Sequence, residues 1–119
     1  MNKEIKEKWI QALESGKYKK GEETLKSGKE FCCLGVLCDI YSKETGLGKW
    51  KGDVFNESVT DHKSLSILPV VVKEWAGLKG VNPKIESYDF DVETIAGVND
   101  HLSPSGTFKE VIEIIKEQL

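Results

Sequence analysis

Apolar residues are unevenly spaced along this chain, and the spacing changes from helical to strand-like and back. Between residues 3 and 15, Ile5, Trp9, Ala12 and Leu13 share one stripe of a helix whose other faces carry Lys and Glu. Gly16 stands where that helix should stop. The pattern is densest from Phe31 to Tyr41. There Leu34, Leu37, Cys38 and Tyr41 recur at helical spacing, while Cys33, Val36 and Ile40 extend the apolar surface most of the way round. A helix over 32–44 is therefore expected at the centre of the fold. Gly35 within it implies close approach of another backbone, since a missing side chain is worth its entropy cost only where space is short.

The remaining segments pattern around that core. Residues 17–21 form a basic, glycine-flanked loop, and Ser27-Gly28 is either a tight turn between short strands at 24–26 and 29–31 or an irregular connection. Partial alternation over 50–55 predicts a short strand, and the polar run 56–66 predicts a loop. The short, β-branched run 67–75 suits strand or helix, and Pro69 favours a helix whose face is Val71, Val72 and Trp75 and which ends at Gly77. Turns and one short strand are expected over 78–91, where Ile85, Tyr88 and Phe90 supply the apolar positions, and a short helix over 91–98. Thr107-Phe108-Lys109-Glu110 has the capping-box pattern, followed by the stripe Phe108, Val111, Ile112, Ile115 and Leu119. These elements predict a single helix-rich α+β domain over 1–119. Its 32–44 helix should pack against the N- and C-terminal helices, with a small antiparallel sheet along one side.

Composition narrows the function classes. The 119 residues include 17 lysines and no arginine against 20 acids, for a net charge of −3. Without the guanidinium fork used for bidentate phosphate and guanine contacts, nucleic acid is not the expected partner. Apolar residues make up 39% of the chain, enough for one real core, and the densest run is too short and too closely bounded by charge to span a bilayer. Three cysteines cannot all pair within one chain, and no secretory signal opens it, so a reducing cytoplasm is the expected setting. Cys32-Cys33 with Cys38 lacks paired metal-ligand spacing, so buried packing is expected ahead of zinc with His62 or His101. No cofactor is expected.

Several segments together resemble a family of small accessory proteins of bacteriophages and prophages. They are residues 9–18, the core Phe31-Cys32-Cys33-Leu34-Gly35-Val36-Leu37-Cys38-Asp39, Leu68-Pro69 leading to Trp75, and Asn99-Asp100 followed by Thr107-Phe108 and a terminal helix. By analogy with phage proteins of this size, the resemblance implies a sponge in the infected host's cytoplasm. Such a protein would sequester a nucleotide-derived defence signal, of the cyclic ADP-ribose or cyclic dinucleotide kind, without cleaving it. A homodimer or higher homo-oligomer is expected, because assembly creates concavity that one short chain lacks.

Such a ligand needs stacking surfaces and phosphate donors. Trp50, Phe55, Tyr88 and Phe90 are the aromatic candidates, each with ordinary core as its alternative. The run from Asn99 and Asp100 through Ser105, Gly106 and Thr107 precedes a helix start, where free amides and the helix dipole favour an anion. Its other reading is a solvated connection capped by Thr107. Lys20 and Lys51, with Lys17 and Lys19, are candidate phosphate partners, and Asp53 and Asp100 candidate acceptors for ribose hydroxyls. Asn99 has a second reading as a brace of its own turn. Two other function classes stay open. Asp61-His62-Lys63-Ser64 and Asp100-His101-Leu102-Ser103 repeat a pattern similar to that of two-histidine phosphoesterases, and an exposed apolar patch would suit an inhibitor of a host enzyme.

Overall fold

The computed structural model describes residues 1–56, 63–64, 66–86, 92–102 and 106–119. Helix α1 (Lys3–Glu14) begins where the Asn2 side chain accepts a hydrogen bond from the Ile5 amide at 3.0 Å. It buries Ile5, Trp9 and Leu13. Strands β1 (Lys19–Lys20), β2 (Lys26–Ser27) and β3 (Glu30–Phe31) follow. Helix α2 (Cys33–Thr45) ends at left-handed Gly46, and its Cys33, Leu34, Gly35, Val36, Leu37, Cys38, Ile40 and Tyr41 are all buried. Then come β4 (Lys49–Lys51), β5 (Val54–Asn56), β6 (Lys63–Ser64), α3 (Val70–Ala76), α4 (Ile95–His101) and α5 (Lys109–Gln118).

The expected central helix is central. It packs against α1, α3 and α4, and the Trp9 indole, fully buried, donates to the Cys33 carbonyl at 2.9 Å. Gly35 has the expected cause: a Cβ there would lie 1.8 Å from the Leu25 carbonyl oxygen. The C-terminal helix departs from expectation, because α5 packs chiefly on α1 and α4 rather than on α2.

Strand is more extensive than the alternation implied. The tight turn falls at Gly28-Lys29, one residue later than expected, since Ser27 belongs to β2: Lys26 stands opposite Phe31 and Ser27 opposite Glu30. The basic stretch expected as loop adds β1 parallel to β3, so this sheet is mixed, in the order β1-β3-β2. The single strand expected over 50–55 is a hairpin that turns at Gly52, whose φ of +61° suits glycine. Part of the polar run forms β6, completing a second sheet, β4-β5-β6, by backbone pairing with Phe55 and Asn56. These pairs are two or three residues long, and strands that short leave little alternation to detect. Of the stretch 78–91, residues 87–91 lie outside the described residues, and among the described ones an isolated bridge joins Lys84 to Thr94. Tyr88 and Phe90 lie outside the described residues. Among the described residues, no helix is long and apolar enough to cross a membrane.

Candidate functional site

Alternation along β4 leaves Lys49 and Lys51 exposed and turns Trp50 half inward. Trp50 meets Phe31, from the end of β3, with ring centroids 5.7 Å apart and planes at 81°. Because β1 runs beside β3, Tyr18, just ahead of β1, reaches the other side of Phe31 at 5.1 Å and 87°. The result is a row of three half-buried rings. Lysines cover it. Lys26, cross-strand from Phe31, places its ammonium 5.8 Å from the Phe31 centroid and 5.5 Å from that of Trp50, and it donates to the Gly52 carbonyl at 3.4 Å. Lys43 lies 5.5 Å from the Tyr18 centroid.

Beneath the rings one carboxylate on α2 gathers their polar ends. Asp39 accepts from the Tyr18 hydroxyl and from the Trp50 indole at 3.2 Å, and it pairs with Lys43, one helical turn on, at 2.9 Å. Burial pushes the Asp39 carboxyl up, but hydrogen bonds from Tyr18 and Lys43, the Lys43 charge and the indole together hold it below its ordinary value. Tyr18 is raised, first by burial and then by its bond to Asp39. Lys43 is raised, first by its bond to Asp39. The Asp39 charge is thus engaged within the cluster, and the outward chemistry is aromatic and cationic.

The remaining sequence candidates disperse. Phe55 is fully buried between Trp50 and Tyr41, so it is a core residue and offers no face to a ligand. Asn99 is also fully buried: its side chain accepts from the Cys33 amide at 3.1 Å and donates to the Gly21 carbonyl and to Asp100, both at 2.9 Å. It braces the fold across long sequence separations rather than its own turn. Asp100 also accepts from the Glu23 amide at 3.1 Å, and Asp53 from the Gly28 amide at 2.9 Å, so both carboxylates tie loops together. Lys20 pairs with Glu22 at 3.2 Å through a side chain only 4% exposed, whereas Lys51 is exposed.

At the start of α5, Thr107 accepts from the Lys109 amide at 3.3 Å beside left-handed Gly106, while Ser105 lies outside the described residues. The hollow there, about 390 Å³, is open, and its lining sets Glu14 and Glu113 against Lys109 and Lys116. A Lys116–Glu14 pair at 3.7 Å stands beside it, so the charges balance rather than favour an anion. His101 is exposed at the end of α4, and His62 lies outside the described residues.

The cysteines are free and buried. Cys32 caps α2, its sulfur accepting from the Gly35 amide at 3.4 Å, and burial pushes its thiol up to about 11. Burial likewise raises Cys33 and Cys38 well above the usual thiol range, consistent with packing.

Tyr18, Phe31, Lys26, Lys43 and Asp39 went unread as site residues. Asp39 and Lys43 are an i,i+4 pair, whereas a turn at Ser27-Gly28 would set Lys26 opposite Lys29, and only the turn at Gly28-Lys29 brings it to Phe31. Only Tyr18 depends on a parallel pairing without a local sequence signal. Comparisons with curated proteins and with solved structures found no match to this chain. A family model matches residues 1–119 throughout, and the chain accordingly belongs to the family described as a domain of unknown function, DUF8296.

Proposed function

We propose that this protein captures a nucleotide-derived signal reversibly and without cleaving it, as a phage-type immune-evasion protein in the cytoplasm of an infected bacterium. The carrying observation is the half-buried row Tyr18, Phe31 and Trp50 with the ammonium groups of Lys26 and Lys43 about its faces. A base stacks on the Trp50 side of the row, and Lys26, held among the described residues by ring contacts and one long hydrogen bond, turns to the phosphate. Stacking contributes about 1–3 kcal/mol per base, and a charge-assisted hydrogen bond about 1.5–3 kcal/mol. Association costs at least about 4 kcal/mol, so one open wall binds weakly. Tight capture therefore calls for a facing wall, which a second copy of the chain supplies in a homo-oligomer.

The test is heat-release chromatography. Purified protein is incubated with cyclic dinucleotides and cyclic ADP-ribose variants, the unbound pool is quantified, and the protein is then heated. One ligand should be depleted and recovered unchanged, and both Trp50→Ala and Lys26→Gln should weaken depletion by about tenfold or more. Recovery of a cleaved product would replace capture with phosphoesterase chemistry. Failure to deplete any ligand would end the reading.

A further inference from the structure

Residues 83–86 run beside 93–95 with one backbone edge paired and the other open. On the paired edge the Ile85 amide donates to the Glu93 carbonyl at 2.8 Å, and the Ile95 amide to the Pro83 carbonyl at 2.9 Å. Those two bonds flank the antiparallel bridge of Lys84 with Thr94, so Lys84 stands in a non-hydrogen-bonded pair and its own amide and carbonyl point to the opposite edge. Glu86, two residues on, is the next to face that edge. There its amide and its carbonyl are both met, at 2.7 Å, by the side-chain amide of Gln118 from the last turn of α5. A side-chain amide carries the same donor and acceptor as a peptide group, so Gln118 does for Glu86 what a neighbouring strand would do. Among the described residues nothing does so for Lys84, which is exposed.

The open edge borders two hollows, and Lys84 and Gln118 stand in the walls of both. The larger, about 470 Å³, lies between the end of α3 and the last turn of α5, and Leu78, Pro83 and Leu119 give it apolar surface. The other, about 410 Å³, is lined also by Ile85 and Glu86. A Cβ added at Gly80, in the wall of the larger hollow, would meet nothing within 4 Å. Lys79 and Lys84 charge that hollow, and among the described residues neither is in an ion pair and no acidic side chain lines it.

We propose that this edge docks an extended acidic peptide, a partner segment in which apolar and acidic side chains alternate. Its backbone adds beside Lys84 as a further strand, donating to the carbonyl and accepting from the amide. An apolar side chain enters the larger hollow, and neighbouring carboxylates meet Lys79 and Lys84. A second copy of the chain suits the edge poorly, because antiparallel pairing of two such edges about Lys84 would set like charges directly opposite. The edge is separate from the aromatic row and stands whether or not that row captures a signal.

The experiment is fluorescence anisotropy of a labelled, end-capped peptide of alternating valine and aspartate, titrated with the full chain. It should bind saturably, and a peptide of alternating valine and lysine should bind about tenfold more weakly or worse. Only alternate backbone groups of a strand face one edge, so methylating the amide nitrogens of all the valines or of all the aspartates should have unequal effects. One methylated form should bind like the parent, and the other about tenfold or more weakly. Gly80→Leu should block binding with Tm unchanged, Lys79→Glu combined with Lys84→Glu should reverse the charge preference, and Trp50→Ala should alter neither. The proposal is overturned if the aspartate peptide does not saturate, if the aspartate and lysine peptides bind alike, or if the two methylated forms bind alike. A dimer of the free protein that Gly80→Leu dissociates would place a second copy on the edge and overturn it too. The peptide comparisons on the unaltered chain decide the matter should Gly80→Leu fail to fold.

Discussion

Replacing Gly35 with Ala adds one methyl group where the structure has no room for it. The new Cβ would lie 1.8 Å from the Leu25 carbonyl oxygen and 2.7 Å from its carbon, whereas ordinary contact begins near 3.4 Å. Leu25 and α2 must therefore part by roughly 1.6 Å. The obstacle is backbone, and it is pinned: the Leu25 side chain is fully buried and its carbonyl accepts from the Cys32 amide at 3.1 Å. Overpacking costs about 1–3 kcal/mol, and the strained hydrogen bond adds about 1 kcal/mol. Better helix propensity returns about 1 kcal/mol. The net loss of about 1–3 kcal/mol should lower Tm by roughly 5–15 °C for a domain of this size. Gly97 in α4 is the control, because its added Cβ meets only side chains, Val92 Cγ1 at 3.0 Å and Thr94 Oγ1 at 3.3 Å, which give by a few tenths of an ångström. Urea unfolding followed by tryptophan fluorescence should place Gly97→Ala within about 1 kcal/mol of the parent. A Gly35→Ala protein as stable as the parent, or less affected than Gly97→Ala, would refute this account of the core.

Asn99→Ala strips partners from the buried Cys33 amide and Gly21 carbonyl, so chemical denaturation should show a loss of about 2–5 kcal/mol, whereas a ligand-contact role alone would leave stability unchanged. The Tyr18, Asp39 and Lys43 cluster gives stability a two-sided pH dependence. Asp39 is depressed in the fold, so its contribution is present above the ordinary carboxyl range and is lost as pH falls through its folded value. Tyr18 and Lys43 are raised, so theirs is present below their ordinary values of 10.0 and 10.5 and is lost as pH rises through the folded ones. Melting temperatures of the parent and Asp39→Asn across acid and alkaline pH should converge at both ends, and a constant offset would contradict the assignment.

The central helix was legible because its apolar residues exceed what one amphipathic face needs, and Gly35 signalled the contact that the fold supplies. The ends of α3 were legible from Pro69 and Gly77. The aromatic row was not, because Tyr18, Phe31 and Trp50 are separate in sequence and meet through strands of two or three residues. Asn99 was misread for a related reason. Polar residues near a helix end suit turn, cap and ligand alike, and only the positions of Cys33 and Gly21 distinguish a buried brace from them.

Such short strand pairs cannot alone fix the angle of three rings, since even a complete two-stranded hairpin is marginal in water. The rigidity comes from α2. Asp39 is presented by a helix that is buried on nearly every side, and its two oxygens bond Tyr18 on one flank and Trp50 on the other. Phe31 is then held between those rings by edge contacts. A core helix therefore sets the geometry of a surface whose own strands are too short to do so. The rings are thus ordered without a ligand, and on the proposed reading it is the half-buried Lys26 side chain that moves, tethered by a 3.4 Å hydrogen bond and by ring contacts worth about 0.5–2 kcal/mol each.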